Sequence, residues 1–147
     1  MADPYESILK DTESGADSNS YISLSEAKTL AAQMGLASWT GKTDQQIDQA
    51  LLRACIEIEA HRFHNAVKDV AAQALTFPRK VDYATPDVVR LAQVYQADWL
   101  MVNGEADRKQ WEGAKASPMD AGVGSPLCPR AFTVLAKLIS RVGSFKD

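Results

Sequence analysis

The chain is poor in the residues that most site chemistry needs. It has two cysteines and two histidines in 147 residues. Cys55 and Cys128 lie far apart, each beside apolar sequence, and read as small core residues of a reducing compartment, with a disulfide as the lesser alternative. His61 and His64 are three apart, with Glu57 one turn before His61. A metal clamp would need a further ligand from elsewhere, and no second cluster is visible, so the polar edge of a helix is the preferred reading. No stretch approaches the ~18 apolar residues of a membrane span. No apolar run follows a basic region near the start, so the expectation is a soluble protein made in a cytosol, with no membrane contact. Charge of one sign is also scarce: the net charge of −3 is too mild to suggest bulk attraction to a polyanion.

Catalytic motifs are equally thin. Gly35 to Thr43 resembles a phosphate-binding loop, but five residues separate Gly35 from Gly41 where that loop needs four. It also follows a helix instead of a strand, which favours a helix–helix linker. No serine or cysteine sits in a nucleophile elbow, and Cys55 falls on the apolar face of its helix. The chain is therefore expected not to be an enzyme, with no catalytic residue, cofactor or metal.

What remains is an ordinary globular composition, 46% apolar and 24% charged, in a length that suits one domain. Residues 1–20 are polar and carry Asp3, Glu6, Asp11, Glu13 and Asp17 against Lys10 alone. They read as a flexible acidic arm, leaving a nearly neutral single domain over 21–143. Ser23 and Glu26 have capping-box spacing and open a helix to about Met34, with Gly35 as its exit. Thr43 and Gln46 repeat the spacing. Ile47, Ala50, Leu51, Ala54, Cys55 and Ile58 then mark a long amphipathic helix to about Val67. Thr85-Pro86-Asp87 starts another, with Val88, Leu91, Ala92, Tyr95 and Trp99 inward and Gly104 as its stop. Residues 105–127 read as an extended loop. Pro129 opens a last helix, with Phe132, Leu135, Ala136, Leu138, Ile139 and Val142 inward and Gly143 closing it. The fold expected is all-α, a small bundle of about four helices.

The one local approximation to a nucleic-acid site is Phe77, Arg79, Lys80 and Tyr83, with Arg62 and Phe63 nearby. The preferred reading is structural: Phe77 caps the core and Arg79 anchors a loop through its fork of donors. Tyr21, Phe77, Pro78 and Arg79 are thus expected anchors.

Several segments together carry a resemblance. They are Asn19-Ser20-Tyr21-Ile22-Ser23-Leu24-Ser25-Glu26-Ala27, Trp39, Ala50-Leu51-Leu52-Arg53-Ala54, Phe63 and Gln73-Ala74-Leu75-Thr76-Phe77-Pro78-Arg79. Pro86-Asp87-Val88-Val89-Arg90-Leu91-Ala92 and Ser125-Pro126-Leu127-Cys128-Pro129-Arg130-Ala131 complete the set. In this order they resemble a phage family whose members carry a DnaT-like single-stranded-DNA-binding label and look like head–tail connector or head-completion proteins. One departure is that relatives often have a strand-like stretch between the last two helices, where this chain has small, irregular sequence from Gly113 to Gly124. The resemblance implies an all-α virion subunit in the neck between capsid and tail. It would form a homo-oligomeric ring of twelve copies, a dodecamer, below the portal protein. Its other partners would be tail, tail-terminator or neck proteins, with genomic DNA passing through the channel without sequence recognition. In that adaptor, Trp39 and Trp111 are candidate interface residues, and Asp11, Glu13 and Asp17 would meet a basic patch on the portal or next tail protein. The alternative is a single-stranded-DNA-binding replication accessory protein, in which Arg79 and Lys80 make the contact.

Overall fold

A computed structural model describes residues 5–114 and 127–139, with the side chains of 104–114 outside the description. The described chain is a small all-α bundle. Four helices follow in order: α1 (Leu24–Gln33), α2 (Asp44–Glu59), α3 (Asp87–Ala114) and α4 (Pro129–Leu135), with a single 3-10 turn at Ala37–Trp39 between α1 and α2. No strand forms among the described residues, only two isolated bridges, Phe63 with Ile139 and Lys68 with Arg79.

The helix starts follow from local chemistry. Ser23 and Glu26 close a full capping box on α1, as Thr43 and Gln46 do on α2, so two backbone amides at each helix start are satisfied. Gly35 leaves α1 at φ +71, a conformation in which a side chain would strain the backbone. Pro129 sits in the first turn of α4, where its missing N–H costs nothing.

Helix ends differ from the sequence reading. The second helix stops at Glu59 and not near Val67. Beyond it Asn65 turns at φ 51, and the His64 N–H donates to Leu138 O at 2.8 Å in place of a helical carbonyl. The third helix runs through Gly104 to Ala114, so 105–114 is helix where a loop was expected. One glycine costs a helix about 1 kcal/mol, too little to end it when Glu105, Ala106, Arg108, Lys109 and Gln110 follow. The rest of the expected loop, 115–126, lies outside the described residues. α4 ends at Leu135, because the chain turns to pair Ile139 with Phe63; Val142 and Gly143 lie outside the description.

α3 is the central element, packed on α1, α2, the 3-10 turn and α4. From Val89 to Leu100 it is buried on almost every side, as a helix inside a bundle must be. One core fills the side shared with α4 and the α2–α3 loop (Ile58, Phe63, Phe77, Val89, Leu135). The other fills the side toward α1 (Ile22, Ala31, Trp39, Leu51, Val94). The inward face is rotated from the one expected: Val88 is exposed, while Gln93, Gln96 and Asp98 are buried. These polar side chains are tolerated because each is bonded. Gln93 accepts from Tyr21 N and donates to Ser20 Oγ and Leu51 O. Gln96 donates to Glu57 and accepts from Cys128 N.

The acidic arm, expected to be flexible, lies against the body over residues 5–20. Ser7 Oγ and Ile8 N donate to the buried Asp48 carboxylate at 3.1 and 2.9 Å. Ala74 N donates to Gly15 O at 2.9 Å. Glu13 accepts from Thr85 N at 2.8 Å and meets Arg90 at 3.4 Å. The physical reason is pairing: the arm's polar atoms find buried or cationic partners that its composition did not reveal.

Candidate functional site

The segment from residue 60 to 86, between α2 and α3, has no regular structure of its own, so its shape depends on side-chain bonds. Tyr21, at the entry to α1, donates its phenol hydrogen to Glu59 at the end of α2 and accepts from Phe77 N at 3.2 Å. Glu59 also accepts from Thr76 N and Oγ1 at 2.9 and 3.0 Å. Burial, and then the Glu59 charge, push the Tyr21 phenol far above its ordinary range, so it remains a donor. The Phe77 ring meets Phe63 edge-on at 4.9 Å and Tyr21 at 5.9 Å, a geometry that ring quadrupoles favour. The Phe77–Pro78 bond is cis.

Arg79 completes the brace. Its guanidinium lies 5.2 Å from the Phe77 centroid. Nε and Nη2 donate to the two oxygens of Asp82, each at 2.9 Å, and Nη1 donates to His64 O at 2.7 Å. These bonds hold the Asp82 carboxyl below the usual carboxylate range. The structure thus brings Tyr21, Phe77, Pro78 and Arg79 together around one joint. Arg79 is buried, and its donors are engaged inside the fold.

The outer surface of this loop has a different character. Val67 O accepts from Lys80 N at 2.7 Å and Pro78 O from Asp69 N at 3.3 Å, the two bonds of the Lys68–Arg79 bridge. Backbone alternation at such a bridge sends Arg79 inward and its neighbour Lys80 outward. Val67 and Val81 are each 64% exposed, and the Tyr83 ring is wholly in solvent at 106%. Arg62 and Lys80 are exposed cations with no ion-pair partner among the described residues. The loop carries Arg62, Lys68, Arg79 and Lys80 against Asp69 and Asp82, so it is basic within an acidic protein. An exposed aromatic ring three residues from an exposed lysine on a braced loop offers a surface for a planar, anionic ligand through stacking and charge.

The remaining sequence-predicted residues fall elsewhere. Trp39 was expected at an interface; it is buried, and its Nε1 donates to Asp98 at 3.1 Å. Asp98 also accepts from Ser38 Oγ, and from Arg130 at 2.9 Å, tying the α1–α2 connection to α4. Trp111 is on α3, but its side chain lies outside the described residues. Asp17 pairs with Lys10 at 3.3 Å on the surface, and half-buried Asp11 lines a small cleft between the arm and Gln73, Phe77 and Thr85. Glu13 is held below the ordinary carboxylate range, chiefly by the Thr85 amide. Both cysteines are buried, and burial raises each thiol, away from reactivity. Among the described residues no group of three or more His, Cys, Asp or Glu is placed to hold a metal ion, and no helix is long and apolar enough to cross a membrane. Sequence reasoning underrated Tyr83: it lies in the short cluster noted there, but only its exposure separates it from the inward Phe77.

Comparison with known proteins gives one family. The profile of the family described as "Putative DnaT-like ssDNA binding protein" matches residues 6–110. No curated protein and no solved structure matches the chain. The family match overturns the head–tail adaptor assignment, with its twelve-copy ring, portal and tail partners, and channel for genomic DNA, because the family matched is not a head–tail connector family. The structure also removes two supports of that assignment, since the arm meant to embrace neighbours packs on its own body and much of the expected loop is helix. The match spans well over half of the 147 residues, and the chain belongs to this DnaT-like family.

Proposed function

We propose that this protein binds single-stranded DNA on the outer surface of its α2–α3 loop, with Tyr83 as the stacking platform and Lys80 as a phosphate contact. The observation that carries this reading is the fully exposed Tyr83 ring on a loop held by the Arg79–Asp82 fork. The description of its family supports it. A ring on a rigid mount stacks on a base without paying the entropy of ordering its own backbone first. Stacking accepts any base, so the expected preference is for unpaired strands over duplex and not for a particular sequence. Arg79 is assigned a bracing role, because its donors are committed to Asp82 and His64.

The test is fluorescence anisotropy of labelled oligo-dT at about 50 and 200 mM salt, where phosphate contacts separate strongly. Wild-type protein is expected to bind at the lower salt and weaken steeply at the higher. Tyr83→Ala is expected to lose about 1–3 kcal/mol of binding, the value of one base–aromatic stack. Lys80→Ala should flatten the salt dependence by about one contact. Absence of binding at the lower salt, or a Tyr83→Ala protein that binds like wild type, overturns the proposal.

A further inference from the structure

Most cations elsewhere on the described surface have a carboxylate partner. Lys10 pairs with Asp17, Lys28 with Asp44, Arg90 with Glu13 and Asp87, and Arg130 with Asp98. At the end of the molecule that carries the α2–α3 loop the pattern changes. Arg62, Lys80 and Lys137 are all exposed, and none has an ion-pair partner among the described residues. Asp82, the nearest acid in sequence to Lys80, is taken by Arg79. The exposed acid on this loop is Asp69, beside Lys68.

Backbone bonds place these cations on adjoining segments. His64 N donates to Leu138 O at 2.8 Å, and Phe63 bridges Ile139, so the turn after α4 lies beside residues 62–64. Arg79 Nη1 reaches His64 O, and Lys80 N donates to Val67 O, so residues 79–80 also lie against the 64–67 stretch. Hydrogen-bonded neighbouring segments are about 4.8 Å apart. Lys137, Arg62 and Lys80 therefore sit on three adjoining segments at this end, with Tyr83 three residues beyond Lys80. A cluster of like charges with few counter-charges is costly in isolation and is relieved by an anion that lies along it.

We infer that the DNA site extends beyond Tyr83 and Lys80 to Arg62 and Lys137, so that the turn after α4, outside the family-matched residues 6–110, is part of it. This rests on the proposed single-stranded DNA binding. Arg62 and Lys137 contact backbone phosphates there, and the strand lies across the loop instead of ending at Tyr83. A site confined to the matched segment would engage Tyr83 and Lys80 without Lys137.

The test uses the full chain, because Leu135 of α4 is fully buried and the helix cannot be removed without opening the core. Oligo-dT affinity is titrated against salt for wild type, Arg62→Ala, Lys137→Ala, the double variant, Lys137→Arg and Lys28→Ala, with thermal unfolding confirming that each is folded. For single strands each phosphate contact contributes about 0.7 to the slope of log affinity against log salt. Each alanine variant is expected to lower the slope by about that amount and the double variant by about twice it. Lys137→Arg should retain the slope, and Lys28→Ala, whose partner is Asp44, should leave it unchanged. Wild-type binding that needs Tyr83 and Lys80 but keeps its slope in the Arg62 and Lys137 double variant overturns this inference and leaves the proposed function standing. Wild-type protein that binds no oligo-dT at low salt overturns both.

Discussion

Asp82 and Arg79 show how one pair of residues shapes a 27-residue connection. Both side chains are nearly buried, and removing one charge leaves the other without compensation, at a cost of about 3–5 kcal/mol. Asp82→Ala is therefore expected to destabilise the protein by roughly that amount in urea unfolding, whereas Tyr83→Ala should stay within about 0.5 kcal/mol of wild type. That contrast separates the brace from the platform. The pair also sets a pH dependence. Asp82 has a depressed folded value, so its contribution is complete above the ordinary carboxylate range and is lost as pH falls through the folded value. Asp82→Asn should remove that part of the acid limb in a stability–pH series. At this scale the sequence is partly legible. Arg79 is recognisable as an anchor from its place after Phe77-Pro78, but Trp39 is misread because its partner Asp98 lies 59 residues away.

At the scale of elements, helix starts are legible and helix ends are not, for a physical reason. A start is written in three or four adjacent residues, as in Ser23 with Glu26 and Thr43 with Gln46. Ser23→Ala and Thr43→Ala are each expected to cost about 1 kcal/mol, and the two should add, since they cap different helices. Denaturant midpoints of the two single variants and the double variant check this; a double variant no weaker than either single would refute it. An end is decided by what the chain meets next. α2 stops where His64 turns toward Leu138, and nothing near Glu59 in the sequence announces that contact. Gly104 gives the opposite error, a local stop signal that the surrounding helix formers outweigh.

Across the whole molecule, residues 5–20 and the loop are mechanically joined. Asp48 receives Ser7 and Ile8, while Glu13 receives Thr85, two residues from Tyr83. In native-state hydrogen exchange the Ile8 and Thr85 amides should both be protected, against the expectation for a free arm. Asp48→Ala should release Ile8 first, and Glu13→Gln should speed exchange at Thr85 more than at Ile8. Equal, rapid exchange at both sites in wild-type protein would contradict this arrangement. Composition hides such a clasp because acidic, serine-rich sequence looks the same whether solvated or bonded. The all-α architecture was readable from periodicity, whereas the arm's placement depends on partners 40 and 72 residues away.

Gln93, Gln96 and Asp98, buried on α3, have one more consequence. Gln93 addresses the entry to α1 and α2, Gln96 addresses α2 and the entry to α4, and Asp98 addresses the 3-10 turn and α4. Alanine and valine alone would let a helix slide by one turn, about 5.4 Å, at modest cost. With these residues the same slip strands amide and carboxylate groups in the core, at about 1–3 kcal/mol for each group left unbonded. α3 consequently has a single seating, and every segment that docks on it inherits that alignment. Gln93→Met with Gln96→Leu is expected to preserve helix content by circular dichroism while broadening amide resonances in α1 and around Cys128. A sharp, native-like spectrum would instead mean that shape alone sets the alignment.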